Sequence, residues 1–128
     1  MNLMIGMMSS AMDASALRQK SISNNIANVN TPNYQPTKVR FEEYLQQEVN
    51  SQFIGNRTHI KHVAIGKTKM IPSAKLEQEN TLYRNSGNGV DLDYEMTQLS
   101  QNTIWYQGLT YGLNEEFNLL KSAIRGRG

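Results

Sequence analysis

The chain has 128 residues, a formal charge of +2 at pH 7 and no cysteine. This length suits a single domain, and the near balance of charge disfavours general electrostatic binding to nucleic acid. The lack of cysteine excludes disulfides and thiolate chemistry. Only 19% of the residues are charged, whereas 14 Asn and 9 Gln carry neutral amides. The polarity of the chain therefore comes largely from amide side chains.

The N-terminal segment, residues 1–30, carries apolar positions in alternating steps of four and three from Met1 to Val29. This spacing predicts a helix with one packed face. Polar residues interrupt the apolar pattern at Ser15 and Gln19. Pro32 disfavours helical backbone at the residue before it, so the helix is expected to end ahead of that proline.

The start of the chain does not have the pattern of a cleaved signal peptide. No Lys or Arg occurs before Arg18, and the unbroken apolar run is short. Nowhere do eighteen apolar residues follow one another, so the sequence predicts no direct membrane insertion.

The middle segment, residues 31–90, is predicted to hold a turn, a short helix and irregular or β-containing structure. Apolar residues recur every four positions from Phe41, which predicts a helix from about Val39 to Phe53 that stops at Gly55. Short apolar groups further along are compatible with a few small strands or with irregular structure. These groups are Ile60, Val63, Ile65, Met70-Ile71 and Leu82-Tyr83.

The C-terminal segment, residues 91–128, carries the strongest helical signal. Asp91 is a plausible N-cap, and Asp93 and Glu95 complement the positive end of the helix dipole. Gly126 marks the expected exit from the helix. We name its heptad pattern the C-terminal stripe: Leu92, Met96, Leu99, Thr103, Tyr106, Thr110, Leu113, Phe117, Leu120 and Ile124.

Five polar residues fall off the C-terminal stripe and are expected away from the packed face, on the solvent side: Asp93, Glu95, Asn102, Glu115 and Lys121. At about 1.5 Å per residue this helix would be about 50 Å long, whereas a compact globule of this size has a radius of gyration of about 14 Å. The stripe is therefore expected to meet the N-terminal helix, other subunits, or both. A two-helix hairpin closed within one monomer is the alternative.

Candidate chemistry is sparse. His59 and His62 have a spacing that allows metal binding on a helical turn, but no third ligand is suggested. The run from Arg57 to Lys75 is basic, which favours a solvated face, with an acidic protein surface as the second reading. Because phosphate loops and nucleophile motifs are missing, the sequence predicts no enzyme, no catalytic, cofactor or metal site, and no small-molecule substrate.

Five Asn residues fall within ten positions of the segment from Asn24 to Asn33. Asparagine is unfavourable in helices, so these amides are expected to serve a purpose. They can cap the end of the N-terminal helix through bonds to the backbone, and they can also bond between subunits. Both readings are compatible with the sequence.

Three segments carry a resemblance to a known family. Residues Ser23–Gln35, SNNIANVNTPNYQ, resemble the N-terminal signature of bacterial flagellar rod and hook axial proteins. Residues Asn88–Gln107, NGVDLDYEMTQLSQNTIWYQ, are similar to the matching segment of the proximal-rod branch of the flagellar basal-body rod protein family. Residues Arg57–His62, RTHIKH, are similar to a basic segment often found in that branch.

The resemblance implies a mainly α fold whose long N- and C-terminal helices pair as a coiled coil. It implies a structural rod subunit that is exported without a cleaved signal peptide and assembles helically with itself and other rod proteins. Further implied partners are rod-base junction and export-gate proteins, with no nucleic acid. The expected subunit-interface residues are Ile22, Asn25, Ile26, Asn28, Leu92, Met96, Leu99, Tyr106, Leu113, Phe117, Leu120 and Ile124.

Two alternatives stay open at this point. The first is another flagellar rod component, which the Val90-Asp91-Leu92-Asp93 start of the C-terminal segment argues against. The second is a non-flagellar coiled-coil adaptor or nucleic-acid-binding protein.

Overall fold

Three helices and a two-stranded sheet are present in the computed structural model, which describes residues 3–53, 73–78 and 89–126. In chain order they are α1 (Leu3–Ala27), β1 (Thr37–Arg40), α2 (Glu42–Phe53), β2 (Lys75–Gln78) and α3 (Leu92–Ile124). The predicted fold class is confirmed, since two long terminal helices flank a small middle segment. The apolar groups between Ile60 and Ile71 and at Leu82-Tyr83, whose pattern is compatible with small strands or irregular structure, lie outside the described residues.

The ends of α3 follow from local interactions. The carboxylate of Asp91 accepts a hydrogen bond from the backbone N–H of Tyr94 at 3.2 Å, which satisfies one of the free donors of the first turn. Past the C-terminus, Gly126 has φ 64° and its N–H donates to the carbonyl of Ala123. Glycine enters this left-handed region without steric cost. The predicted cap and exit of α3 are both confirmed.

The end of α1 is closed by asparagine side chains. The amide of Asn28 donates to the carbonyl of Asn24 at 2.8 Å, and the hydroxyl of Thr31 donates to Oδ1 of Asn28 at 3.1 Å. The chain then turns through Asn33, which has φ 58°, a conformation that Asn adopts more readily than most residues. The predicted local capping network is confirmed, and α1 ends ahead of Pro32 as expected.

The second helix begins at Glu42, so the predicted start at Val39 is wrong. Val39 lies in β1, where it pairs with Leu76 of the antiparallel strand β2 and is buried. A β-branched residue suits this extended, packed position better than a helix. The carbonyl of Phe41 accepts the first bond of the helix, from the N–H of Leu45 at 2.9 Å.

The two long helices, α1 and α3, run antiparallel. Met8 lies beside Gly112, Ser15 bonds to Asn102 and Asn25 bonds to Glu95, so positions later in α1 meet positions earlier in α3. With 33 residues against 25, α3 extends past the described start of α1. The side chains of residues 117–126 are all exposed.

The buried apolar core formed by the described residues is small. It lies where α1, α3 and the corner between β1 and α2 meet. Alanines supply the α1 side, which allows the neighbouring elements to approach closely. Its members are Ala11, Ala14 and Phe41, with Leu45, Ala74 and Leu109 partly buried against them.

Ion pairs tie the middle segment to α1 and to itself. One guanidinium nitrogen of Arg18 lies 2.7 Å from both carboxylate oxygens of Glu42. Arg40 pairs with Glu43 at 3.1 Å and with Glu77 at 3.2 Å, which links β1 to α2 and β2. The Arg18–Glu42 pair thus joins α2 to α1, while the Arg40 pairs join the two strands and α2 to one another.

We expect the Arg18–Glu42 ion pair to make the free energy of unfolding depend on pH. Burial by itself would raise the pKa of Glu42, but the hydrogen bond and charge of Arg18 outweigh it, and the pKa lies below its ordinary 4.5. A carboxylate whose folded pKa is lowered stabilises the fold above its unfolded pKa and loses that effect as the pH falls through the folded pKa. Glu42→Gln should therefore lower the free energy of unfolding at pH 7, by under about 1 kcal/mol because the Glu42 side chain is 55% exposed to solvent.

The measurement is urea unfolding of the unmodified protein and of the Glu42→Gln variant from about pH 7 to pH 3. The difference between them should shrink through the acid range. In an Arg18→Gln background the same substitution should lose most of its pH dependence. A difference that stays constant down to pH 3 would contradict the prediction.

Candidate functional site: a polar helix seam between apolar faces

Polar side chains form part of the face of α3 that contacts α1. Glu95 is 5% exposed and Asn102 is 3% exposed, and both bond to side chains of α1. The expectation that these two residues face solvent is wrong. Hydrogen-bonding groups on α1 replace the water that the amide and the carboxylate would otherwise require.

Asn102 occupies the centre of this seam. Its Nδ2 donates to the carbonyl of Ser15 at 3.0 Å and to Oε1 of Gln19 at 3.3 Å, and its Oδ1 accepts from the hydroxyl of Ser15 at 2.9 Å. Ser15 is 1% exposed. The two polar interruptions of the N-terminal apolar pattern are thus the partners of Asn102.

Asn25 joins three elements through one amide. Its Nδ2 donates to the carbonyl of Thr37 and to Oε1 of Glu95, both at 2.9 Å, while its Oδ1 accepts from the N–H of Thr37 at 2.9 Å. The hydroxyl of Ser21 also donates to the Thr37 carbonyl, at 2.7 Å. Within the described residues no buried side-chain N or O atom lacks a hydrogen-bond partner.

These bonds define what we name the polar seam: Ser15, Gln19, Asn25, Glu95 and Asn102. Buried amides of this kind fix alignment, because a shifted register would leave several polar groups buried without partners. The seam therefore sets the antiparallel register of α1 and α3. The residues of the polar seam bury little apolar surface themselves.

The C-terminal stripe lies on a flank of α3. Met96 follows Glu95 and Thr103 follows Asn102, so the stripe is turned by about 100° from the polar seam. Leu99 and Leu113 are half-buried. Large exposed fractions remain at Leu92 (45%), Met96 (49%), Tyr106 (42%), Phe117 (51%), Leu120 (38%) and Ile124 (85%).

The two threonine hydroxyls on the stripe are bonded within their own helix. Thr103 donates to the carbonyl of Leu99 at 2.9 Å, and Thr110 donates to the carbonyl of Tyr106 at 2.9 Å. Neither threonine hydroxyl therefore needs a further partner. Apart from the hydroxyl of Tyr106, the side chains of the stripe present mainly apolar and aromatic surface.

The N-terminal residues expected at a subunit interface have different surroundings. Ile22 and Asn25 are 4% and 2% exposed, so their contacts lie within the subunit in this conformation. Ile26 and Asn28 are half-buried, and Asn28 caps α1. Periodicity places Ile22 and Ile26 on an apolar face because it reports apolar spacing and not which surface is already covered. Asn25 and Asn28 were expected at the interface because amides can bond between subunits.

Charged side chains beside the seam are paired with one another or with the seam. A cleft of about 340 Å³ beside the seam is lined by Arg18, Arg40, Glu42, Glu43 and Glu95 among others, and these charges engage one another or the seam. No group of three potential metal ligands occurs among residues 3–53, 73–78 and 89–126. His59 and His62 lie outside them.

No helix among the described residues is long and apolar enough to cross a membrane.

We expect the Ser15–Asn102 contact to behave as a coupled pair. Asn102→Leu removes an acceptor and a donor, and it leaves the buried hydroxyl and carbonyl of Ser15 without that partner. The free energy of unfolding should fall by about 1–3 kcal/mol. Adding Ser15→Ala should recover part of this loss, because the orphaned hydroxyl is gone.

Denaturant unfolding of the two single variants and the double variant measures the coupling. Asn114→Leu, on an exposed position of α3, is the matched control and should change stability by less than about 0.5 kcal/mol. Strictly additive effects of Ser15→Ala and Asn102→Leu would argue against the seam as a cooperative unit.

Comparison with known proteins bears on this helix pair. Residues 7–35 match a family model described as flagella basal body rod protein, and this match includes the segment that resembles the rod signature. The flagellar basal body rod protein FlgB of Bacillus subtilis is 41% identical over 116 residues, covering 91% of this chain and 88% of that protein. The FlgB proteins of Borrelia hermsii and Salmonella typhimurium are 36% and 31% identical, covering 77% and 91% of this chain and 78% and 88% of their own lengths.

The resemblance inferred from the sequence is confirmed, and nothing favours an adaptor or a nucleic-acid-binding protein. Similarity to relatives from different bacteria covers both long helices and the segment between them. The chain belongs to the FlgB family of flagellar basal body rod proteins.

Proposed function

We propose that this chain, by its family a structural subunit of the bacterial flagellar basal-body rod, assembles helically in the proximal part of the rod through its terminal helices. The observation that carries the proposal is the exposed C-terminal stripe. Six large apolar side chains of the stripe are 38% or more exposed while polar residues occupy the contact with α1. Apolar surface of this extent is typical of a face that another protein covers.

The proposed interface consists of the C-terminal stripe together with the half-buried edge of α1 at Ile26 and Asn28. In this proposal Ile22 and Asn25 contact other parts of the same subunit and hold α1 in register with α3. The satisfied hydroxyls of Thr103 and Thr110 support burial of the stripe, because they add no desolvated donor to the interface. The end of α3 past the described start of α1 offers Phe117, Leu120 and Ile124 to a neighbour.

We further propose export without cleavage of the N-terminus. Ile5 is buried and Met8 lies against Gly112, so the first turns of α1 are part of the helix pair. Removing a signal-length segment would delete this packing. Intact-mass measurement of the subunit in purified basal bodies tests the proposal, and a product lacking the first turns of α1 would contradict it.

The proposed activity is binding without turnover. The polar groups of the seam are consumed by structural hydrogen bonds, which supports a structural role. Other rod proteins are the proposed neighbours of the subunit. Contacts with rod-base junction and export-gate proteins stay predictions of the family resemblance.

Phe117→Asp tests the stripe directly. Phe117 is 51% exposed, so the isolated subunit has little packing to lose, and its unfolding transition should stay close to that of the unmodified protein. In an assembled seam the same change would bury an unpaired charge and lose the burial of the ring, which contributes about 1.5–3 kcal/mol. We expect rod assembly and swimming to fail.

The matched control is Asn118→Asp, which adds the same charge one residue along α3 on a side chain turned about 100° from Phe117. It should support swimming. Complementation of a deletion strain gives the readout, with the exported amount of each subunit measured separately so that failed export is not mistaken for failed assembly. Normal rods with Phe117→Asp would remove the stripe from the mechanism.

A further inference from the structure

A second apolar surface lies on α3, away from the C-terminal stripe. We name it the Trp105 face; its members are Ile104, Trp105, Gly108, Tyr111 and Leu119. The large residues are strongly exposed: Ile104 and Tyr111 at 70%, Leu119 at 64% and Trp105 at 49%. Neither the polar seam nor the stripe accounts for this surface.

No contact among the described residues explains why position 108 is a glycine. A glycine in a helix interior is unfavourable relative to alanine, yet a Cβ built on Gly108 would meet nothing within 4 Å. Gly112 differs, because a Cβ there would come within 3.2 Å of the Met8 side chain. The missing side chain at Gly108 therefore leaves a notch between exposed Trp105 and Tyr111 that no described residue fills.

The Trp105 face and the stripe lie on roughly opposite sides of α3. At about 100° per residue, Gly108 is turned by about 180° from Thr110 and Phe117 on the stripe. A subunit that adds to a growing helical assembly needs two different, complementary surfaces, because a single self-complementary face closes a dimer. Two apolar faces on opposite sides of one helix meet this requirement.

We propose that the Trp105 face receives the C-terminal stripe of a second copy of this chain, with a bulky stripe side chain seated over Gly108. This inference rests on the proposed assembly through the stripe. It adds the complementary half of that contact. The resulting interface is heterologous, and the same pair of surfaces repeats from one subunit to the next.

Charge complements the apolar fit. Glu115 lies along the Trp105 face, one turn beyond Tyr111, while Lys121 follows Leu120 at the edge of the stripe. All these side chains are exposed, and neither Glu115 nor Lys121 takes part in an ion pair within the described residues. A neighbour's Lys121 beside Glu115 would place opposite charges at the rim of the contact.

The Trp105 face is also continuous with the packed interior. Leu109 lines a groove of about 530 Å³ together with Ile104, Trp105 and Gly108, and it packs inward against the core cluster. A helix seated in this groove would extend the small core outward. The exposed area of Ile104, Trp105 and Tyr111 is about 400 Å², below the roughly 800 Å² per partner of a stable pair. One such contact is too small for a stable dimer and requires the additional contacts of an assembly.

Gly108→Leu separates folding from assembly. A Cβ at position 108 meets no described residue within 4 Å, and leucine replaces a poor helix former, so the thermal midpoint of the isolated protein should be unchanged or higher. The leucine side chain fills the notch, so rods and swimming should be lost in a complemented deletion strain. Asn118→Leu adds the same side chain elsewhere on the exposed surface of α3 and should support rod assembly.

A photo-reactive benzophenone side chain in place of Trp105 identifies the occupant. In assembled basal bodies the cross-linked peptide should come from residues 92–124 of another copy. Cross-links to a different rod component would overturn the proposal, as would normal rods with Gly108→Leu or an equal defect with Asn118→Leu. If Phe117→Asp blocks assembly and Gly108→Leu does not, this inference fails while the proposed function stands; if both variants assemble normally, both fail.

Discussion

The amide side chain of Asn25 joins the helix pair to the middle segment. One donor group serves both Glu95 of α3 and the Thr37 carbonyl of β1, and the carbonyl oxygen takes the Thr37 N–H. Asparagine supplies both donors and an acceptor on one short side chain. Alanine or leucine at this position would leave backbone and carboxylate groups buried without partners, at a higher cost than the lost contact itself. The positions of α3 and β1 on α1 therefore depend on this residue.

In the helix pair, polar side chains are buried at the contact and large apolar side chains are exposed. This is the reverse of the usual distribution in a monomeric globular protein. Amides and a carboxylate occupy the contact between α1 and α3, while Phe117, Leu120 and Ile124 lie outside. Hydrogen-bonded amides specify alignment without consuming apolar surface. The large side chains stay available for contacts between subunits. A rod subunit needs both properties, because it has to hold its own shape and also gain stability by joining a larger body.

The middle segment is held by a different set of forces. Phe41 packs against Ala11 and Ala14, and Arg18 on α1 holds Glu42 at the start of α2. The alanines let the β1–α2 corner approach α1 closely, which keeps the core compact despite its few members. Among the described residues, many of the large apolar side chains of α3 stay exposed. This surplus is the physical basis for assigning two separate contact faces to one helix.

The long helices were predictable because their determinants are local. The apolar period of α3, the Asp91 cap and the Gly126 exit act within a few residues of one another, and each is found as expected. The family was predictable for the same reason, because the Ser23–Gln35 signature is one continuous segment. It lies within the region that the family model matches. The apolar spacing of the C-terminal stripe could likewise be recognised in the sequence.

Tertiary structure decided which face of each helix is covered. Glu95 and Asn102 look like solvated residues in the sequence, and only partners 70 and 87 positions away make their burial favourable. The strand Lys75–Gln78 is short and polar, so its pairing with Thr37–Arg40 has no local signal. Periodicity measures the spacing of apolar side chains along one element. Whether a polar side chain is buried depends on a hydrogen-bonding group that another element brings to it.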